Sequence, residues 1–491
     1  MQLLRRPGPP TPPAVLGAAR SMPATFTLAL LASCAWLLLC VVFLLVLVPT
    51  QSGFVLALKM GVTIVPLLLL WGLYAAGAGG EKSIAALLVV ILVITELSLR
   101  RRAFEDTSAD PQNLVKMAVW GVGLLVALIN WGTLRQALRE PATALLALTT
   151  LWFAATAVYS PIPVYTLGAA IALLAVVLFG AVARRSVRES ILLKAPAAAL
   201  TVMLLVGLAL YVVAPDRALA QTEGGTVLRL AAPFGTPNQL GRAAALVVLL
   251  TVIGMARGHV RWRSFLVWLG IPAALACLVL SQSRTAGGAL LAALLLVYGS
   301  KRPRRALAMA IVLAALGIVY SMLDIDLADL AALVSRTGHV SELTTLTGRT
   351  AIWAAVWQQI LEQPLLGYGH AAGKVLIPQI YRTFWGWTAT HAHNMWLQTW
   401  FTAGLVGVLL LLATLLAQLR YCLRTRDLGS LALLAFVFVA GMAEAGNLSG
   451  APSVLTVMWA LWLTGPAPAK AQAPGARAAP GRSARGLGLQ A

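Results

Sequence analysis

The sequence predicts an all-α polytopic integral membrane protein, and three observations carry that prediction. Of 491 residues, 60% are hydrophobic and 11% charged, against roughly 25% charged in an ordinary soluble domain. Mean hydropathy is +0.85. Apolar runs approaching the roughly 20 residues that cross a bilayer recur almost from end to end. Length alone would suggest about three soluble domains, and these ratios exclude them. The 42 Gly and 25 Pro fit the membrane class, because transmembrane helices tolerate both.

Residues 1–24 read as a disordered tail on the cytoplasmic side, Pro-rich and carrying Arg5, Arg6 and Arg20. They precede an apolar run too long for the core of a cleavable signal peptide. Candidate spans follow at 25–48, 54–79, 83–98, 114–130, 142–158, 164–183, 195–214, 243–256, 264–282, 286–299, 306–322, 396–418, 428–446 and 450–465. Several are short, so about 10–14 helices are expected. Residues 466–491, Ala/Pro/Gly-rich with four basic and no acidic residues, read as a disordered tail.

The net charge, 37 − 16 = +21, would suggest nucleic-acid binding in a soluble chain. Here Lys and Arg gather between apolar runs, which is the positive-inside pattern, so nucleic acid is not expected as a partner. Arg184, Arg185 and Arg188 form one cluster, Arg257, Arg261 and Arg263 a second. Lys301 with Arg302, Arg304 and Arg305 make a third, and Arg420, Arg424 and Arg426 a fourth. Alternating the spans puts all four on the cytoplasmic side with both termini. Arg100, Arg101 and Arg102 fall on the opposite side, beside Glu105, Asp106 and Asp110. Cys34, Cys40, Cys277 and Cys422 have no disulfide or zinc spacing.

This orientation leaves three segments outside: a polar loop at 215–242, a short turn around Ser281-Gln282-Ser283-Arg284, and one long loop at 323–393. A loop of roughly 70 residues in a compact membrane domain is usually functional. Its stretch 351–363 has helical apolar spacing and is expected to lie along the membrane surface.

Arginine on the outer side breaks the charge trend and asks for a reason. Arg284 stands between two apolar runs, Arg217 and Arg229 in the first loop, Arg336, Arg349 and Arg382 in the long one. Converging guanidiniums would suit a diphosphate through bidentate hydrogen bonds. The alternative is that each snorkels to lipid phosphate or pairs with Glu223, Asp324 or Glu342.

His391 and His393 stand before the next apolar run, in Thr390-His391-Ala392-His393-Asn394. Two His at this spacing could ligate a metal, but no carboxylate or Cys cluster accompanies them in the sequence. Imidazole could instead act as general base toward a hydroxyl, or simply cap backbone groups. Asn394 could orient His393 or an acceptor hydroxyl, or cap the helix that follows. Gly404 and Gly407 read as helix-packing positions and Gly367-Tyr368-Gly369 as a turn, with Tyr368 a possible sugar-stacking face. Trp385 and Trp387 suit an aromatic belt better than a glycan platform. Glu444 and Asn447 could line a cavity, with no motif to support it.

His393-Asn394 followed by Gly404 and Gly407 matches the H-[NSQ]-x9-G-x-x-G signature of the O-antigen ligase/polymerase superfamily. Three more segments resemble that family in the same order. Arg229 with Gly235-Thr236-Pro237-Asn238 and Gly241 resembles its Arg…Gly…Asn-x-x-Gly segment, and Ser281-Gln282-Ser283-Arg284 its Ser-x-Ser-Arg segment. Leu346-Thr347-Gly348-Arg349-Thr350-Ala351-Ile352-Trp353 with Pro364-Leu365-Leu366-Gly367-Tyr368-Gly369 is similar to its exopolysaccharide-polymerase branch. The resemblance covers roughly residues 200–420. It divides the chain into N-terminal helices at 25–200 and a catalytic membrane region at 201–465.

The resemblance implies a multi-pass GT-C-type glycosyltransferase of the bacterial inner membrane, its active site facing the periplasm. It would move glycan from undecaprenyl diphosphate to a sugar hydroxyl, polymerising exopolysaccharide or O-antigen repeats. In the ligase alternative lipid A–core is the acceptor. His393 would be the base, Arg284, Arg349 and Arg229 would hold the diphosphate, and Asn394, His391, Tyr368 and Asn238 would meet glycan or acceptor. With Arg284, Arg349 and Arg229 available to neutralise a diphosphate, neither metal nor cofactor is expected, and inversion by single displacement follows from the lack of a carboxylate nucleophile. Membrane lipids and polysaccharide-export or chain-length-control proteins are the other expected partners. A lipid-linked oligosaccharide transporter or flippase, or a silent assembly subunit, are the competing classes.

Overall fold

A computed structural model describes residues 80–98, 111–222, 227–301, 349–382, 389–445, 448 and 450–463. The expected spans 25–48, 54–79 and 306–322, both tails, Arg100–Arg102, Arg336, Trp385, Trp387 and Asn447 lie outside them. The described chain is almost wholly helical, an all-α polytopic membrane protein. In order come α1 (Glu81–Glu96), α2 (Pro111–Ile129), α3 (Trp131–Ala137), α4 (Pro141–Ala155), α5 (Pro163–Ser186) and α6 (Glu189–Val213). A hairpin of β1 (Leu219–Thr222) and β2 (Val227–Leu230) precedes α7 (Pro237–Ala256), α8 (Ile271–Ser281) and α9 (Arg284–Lys301). The rest are α10 (Arg349–Glu362), α11 (Gly373–Ile380), α12 (Met395–Thr425), α13 (Leu428–Ala443) and α14 (Val454–Leu463).

Five described helices are long and apolar enough to cross a bilayer: α4 with its 3-10 extension, α5, α6, α7 and α12. A sixth span results if α2 and α3, bent by 90°, count as one. The shorter α8, α9 and α13 are also apolar. Trp459, Trp462, Phe153 and Phe179 are fully buried between the helices. Small residues bring backbones together: a Cβ on Gly180 of α5 would stand 2.8 Å from the Ala460 Cβ of α14.

The segment expected as a polar loop at 215–242 is more ordered than that. Its hairpin pairs Leu219 with Leu230 and Thr222 with Val227. Helix α7 starts inside it, because Thr236 Oγ1 accepts from Gln239 N at 3.2 Å and Pro237 supplies a preset first-turn φ. Within the long loop, α10 and α11 share a small core of Ile352, Val356, Ile360, Ile377, Ala392 and Phe401.

Helix α12 is broken at Gly404, which takes φ 65° and ψ −170°. The break frees carbonyls that residues 364–369 collect: Tyr368 N donates to Phe401 O at 2.9 Å and Gly369 N to Thr402 O at 2.8 Å. Leu405 N donates back to Pro364 O at 2.8 Å. Any Cβ at Gly404 would sit 2.1 Å from Leu365 O. Gly404 is therefore a backbone crossing, a tighter constraint than the helix packing expected from its place in the motif.

Polar residues gather at the two ends of the bundle. At one end lie Arg184 at the close of α5, Glu189 at the start of α6, Arg257 just past α7, and Asp427 capping α13. Arg257 pairs with both Glu189 and Asp427. The buried Arg184 has its guanidinium carbon 4.3 Å from the Trp462 ring centroid and NH2 3.8 Å from Asp427 Oδ2. Three of the four basic clusters meet at this end, which holds the ends of α5, α7 and α12. The opposite end holds the starts of α7, α9 and α12 and the ends of α8 and α13.

Candidate functional site

That opposite end builds a connected polar cluster around one carboxylate. Arg229, on β2, donates through Nε to Ser281 O at 2.8 Å and through NH2 to Asn238 Oδ1 at 2.8 Å. Asn238, in the first turn of α7, passes the link on by donating Nδ2 to Glu444 Oε1 at 2.7 Å. One helical turn later Arg242 places NH1 3.5 Å from Glu444 Oε2. From the start of α10, Arg349 donates NH2 to Glu444 Oε1 at 2.7 Å and NH1 to Ala443 O. His393 completes the ring of partners, its Nδ1 3.6 Å from Glu444 Oε2.

The helix termini explain why these side chains converge. Met442 and Ala443 carry two of the orphan carbonyls at the end of α13. Asn394 Nδ2 donates to Met442 O at 3.0 Å while its Oδ1 accepts from Trp396 N and Leu397 N, capping α12. Arg349 takes the Ala443 carbonyl, placing a cation at the negative end of the α13 dipole. Asn394 thus caps its own helix and ties it to the stretch that carries Glu444.

Electrostatics favour an ionised carboxylate here. Burial alone would raise the Glu444 carboxyl. His393, Arg349 and Arg242 outweigh it and hold the group well below the usual carboxylate range. His391 goes the other way: burial first, with the neighbouring His393 adding to it, pushes it down to about 3, leaving a neutral imidazole. The two rings lie 4.1 Å apart between centroids, tilted by 38°, and Thr390 Oγ1 is 3.3 Å from His391 Nδ1.

The turn expected to present Ser281–Arg284 lies against the first turns of α7. A Cβ on Gly241 would stand 2.4 Å from the Ser283 Cβ, so only glycine allows this approach. Gln282 adopts a left-handed conformation, φ 49°, which starts α9 at Arg284. The buried Ser283 Oγ has no hydrogen-bond partner among the described residues. Arg284 therefore shares an end of the bundle with Arg229, whose Nε is anchored on Ser281 O.

Tyr368 stands apart from this cluster. Its ring stacks on Phe401 with centroids 5.0 Å apart, and its hydroxyl lies 3.1 Å from Gln359 O and 3.3 Å from Glu362 Oε2. The turn around it is as expected, with φ 69° at Gly367 and 102° at Gly369.

The expectation that no carboxylate accompanies the His pair is corrected by the fold. Glu444 brings a third donor, and His391, His393 and Glu444 offer ligand atoms within 4.8 Å of one another. Three such donors are the number that catalytic zinc sites use. Against that fit, Arg349 and Arg242 attend the two Glu444 oxygens, so a cation would have to displace two guanidiniums. Arg242 and Glu444 were legible only weakly. Their one signal is a charge placed at the edge of an apolar run, which is costly without a partner.

Residues 269–412 match the family described as O-antigen ligase, and no curated protein matches the chain. That segment carries Arg284, Arg349, His391, His393 and Asn394, and it places this region in the O-antigen ligase/polymerase superfamily. Arg229, Asn238, Arg242 and Glu444 reach the same cluster from outside it.

Proposed function

We propose, from that domain and its cluster, a metal-independent glycosyltransferase that moves glycan from an undecaprenyl-diphosphate donor to a sugar hydroxyl. Its reaction would be polymerisation of exopolysaccharide or O-antigen repeat units at the periplasmic face of the inner membrane. The observation that carries this reading is His393 beside an ionised, multiply held Glu444, with Arg229, Arg349 and Arg284 at the same end of the bundle.

In the proposed step the acceptor oxygen attacks the anomeric carbon as the bond to the diphosphate oxygen breaks. The acceptor proton passes to His393 Nε2, and the leaving electron pair goes to the lipid diphosphate. Nδ1 faces Glu444, so the imidazolium that forms gains a countercharge at the moment it is needed. Arg284, Arg229 and Arg349 would neutralise the diphosphate in a low-dielectric site, where fixed cations act most strongly. His391, kept neutral, would hydrogen-bond glycan without adding positive charge beside the base. Direct attack inverts the anomeric centre, because neither oxygen of Glu444 is free to form a glycosyl ester.

Purified protein incubated with lipid-linked oligosaccharide and EDTA tests this reading. The expected result is a ladder of longer lipid-linked glycans. Transfer only after lipid A–core is added would make the protein a ligase with the same site. Silence with both acceptors would favour a transporter or an assembly subunit.

A further inference from the structure

We infer that Trp353 and Gln398 are positioning residues for His393, clamping the peptide groups of Ala392 from both sides to hold the adjoining histidine in its left-handed backbone conformation. The inference rests on the reading of His393 as the base. His393 has φ 50°, a region that non-glycine residues enter only at a cost and that persists when the surroundings impose it. The imposing contacts converge on the residue before it. Ala392 N donates to Gln398 Oε1 at 2.7 Å, and Ala392 O accepts from Trp353 Nε1 at 2.8 Å. Ala392 and Gln398 are both buried. On the other side of His393, Asn394 is fixed by its cap and by Met442 O. The base therefore sits between two pinned residues.

Trp353 also lies one helical turn beyond Arg349, on the same face of α10. One helix thus grips the peptide beside the base and, through Arg349, the carboxylate the base faces. Seating of α10 sets the 3.6 Å separation between His393 and Glu444. Ordinary satisfaction of a buried indole N–H and a buried amide is the competing explanation, and it predicts effects on stability alone.

The test compares wild type, His393→Ala, Trp353→Phe, Gln398→Leu and Gln398→Glu, each full-length and purified in detergent. The acceptor role of Gln398 is kept by Gln398→Glu and removed by Gln398→Leu. Two readouts are taken: kcat and donor KM with lipid-linked oligosaccharide, and the rate of His393 carbethoxylation mapped by mass spectrometry, which needs no turnover. The clamp predicts that Trp353→Phe and Gln398→Leu lower kcat about tenfold or more, as misplacement of a reacting group does. Donor KM stays within about threefold, Gln398→Glu recovers most of the rate, and His393 modification changes in the two damaging variants. Wild-type kcat and wild-type modification in Trp353→Phe and Gln398→Leu would overturn the clamp. So would loss of rate that tracks loss of melting temperature, with Gln398→Glu no better than Gln398→Leu. Full activity in His393→Ala is a different result, and it removes the base reading itself.

Discussion

His393 and Glu444 approach within 3.6 Å, Nδ1 to Oε2, although one precedes α12 and the other follows α13. Only His393 lies in the segment that matches the O-antigen ligase family. The carboxylate is delivered by the fold, through the antiparallel return of α13 beside the bundle end where α9 begins.

The pair should behave as one unit. His393→Ala is expected to lower kcat by a hundredfold or more, within the range of about 10²–10⁴ for general-base loss. Glu444→Gln should lower it less, and the double variant should be no slower than His393→Ala. A double-mutant cycle on kcat checks this, and simple additivity of the two losses would contradict it.

Acid should weaken the fold through His370 and His391. His370, stacked on Phe153 with centroids 4.4 Å apart, is pushed by burial down to about 4, and His391 to about 3. Both stay neutral in the folded protein while the unfolded chain binds protons below about pH 6.5. Stability is then complete above that value and falls as pH drops from about 6.5 toward 4. Glu444, held low, adds to the loss only below about 4.5, where its unfolded counterpart protonates. Melting temperature against pH in detergent reads this directly. A midpoint that rises on acidification would contradict it.

The break in α12 should tolerate no side chain. Gly404→Ala places a methyl 2.1 Å from Leu365 O at a positive φ, and is expected to destabilise by about 3 kcal/mol or more. Recovery of monodisperse protein after extraction is the measurement. A Gly404→Ala variant as stable as wild type would show that the crossing with residues 364–369 is dispensable.

At the far end of the bundle, stability and catalysis should separate. Asp427→Ala removes the α13 cap on Ser430 N, 3.1 Å from Oδ1, and strips Arg257 and the buried Arg184 of their shared carboxylate. A loss of about 3 kcal/mol is expected for breaking such a pair, with kcat per folded molecule unchanged. Thermal melts paired with active-site titration test it, and a selective fall in kcat would contradict it.

Much of this was legible from residue order. Apolar runs predicted α1, α5 and α12 because a spanning helix must be apolar for about twenty residues whatever it packs against. His393, Arg284, Arg349 and Arg229 stood out as motif residues. What fixes them did not. Glu444 sits in Ala443-Glu444-Ala445, surrounded by nothing but small and apolar neighbours, and its partners come from α7, α10 and the segment before α12. Gln398 and Trp353 look like ordinary helix positions until Ala392 is seen between them. Tyr368, an aromatic beside two glycines, gave no sign in the sequence of the Phe401 ring it stacks on.

The most direct test of the account is single-turnover release of undecaprenyl diphosphate, measured with EDTA present alongside equilibrium donor binding. Wild type and His393→Ala should bind donor with similar affinity, while release from His393→Ala is slower by a hundredfold or more. Release at the wild-type rate from His393→Ala, or release from wild type that stops when EDTA is added, would contradict the metal-free, histidine-based mechanism.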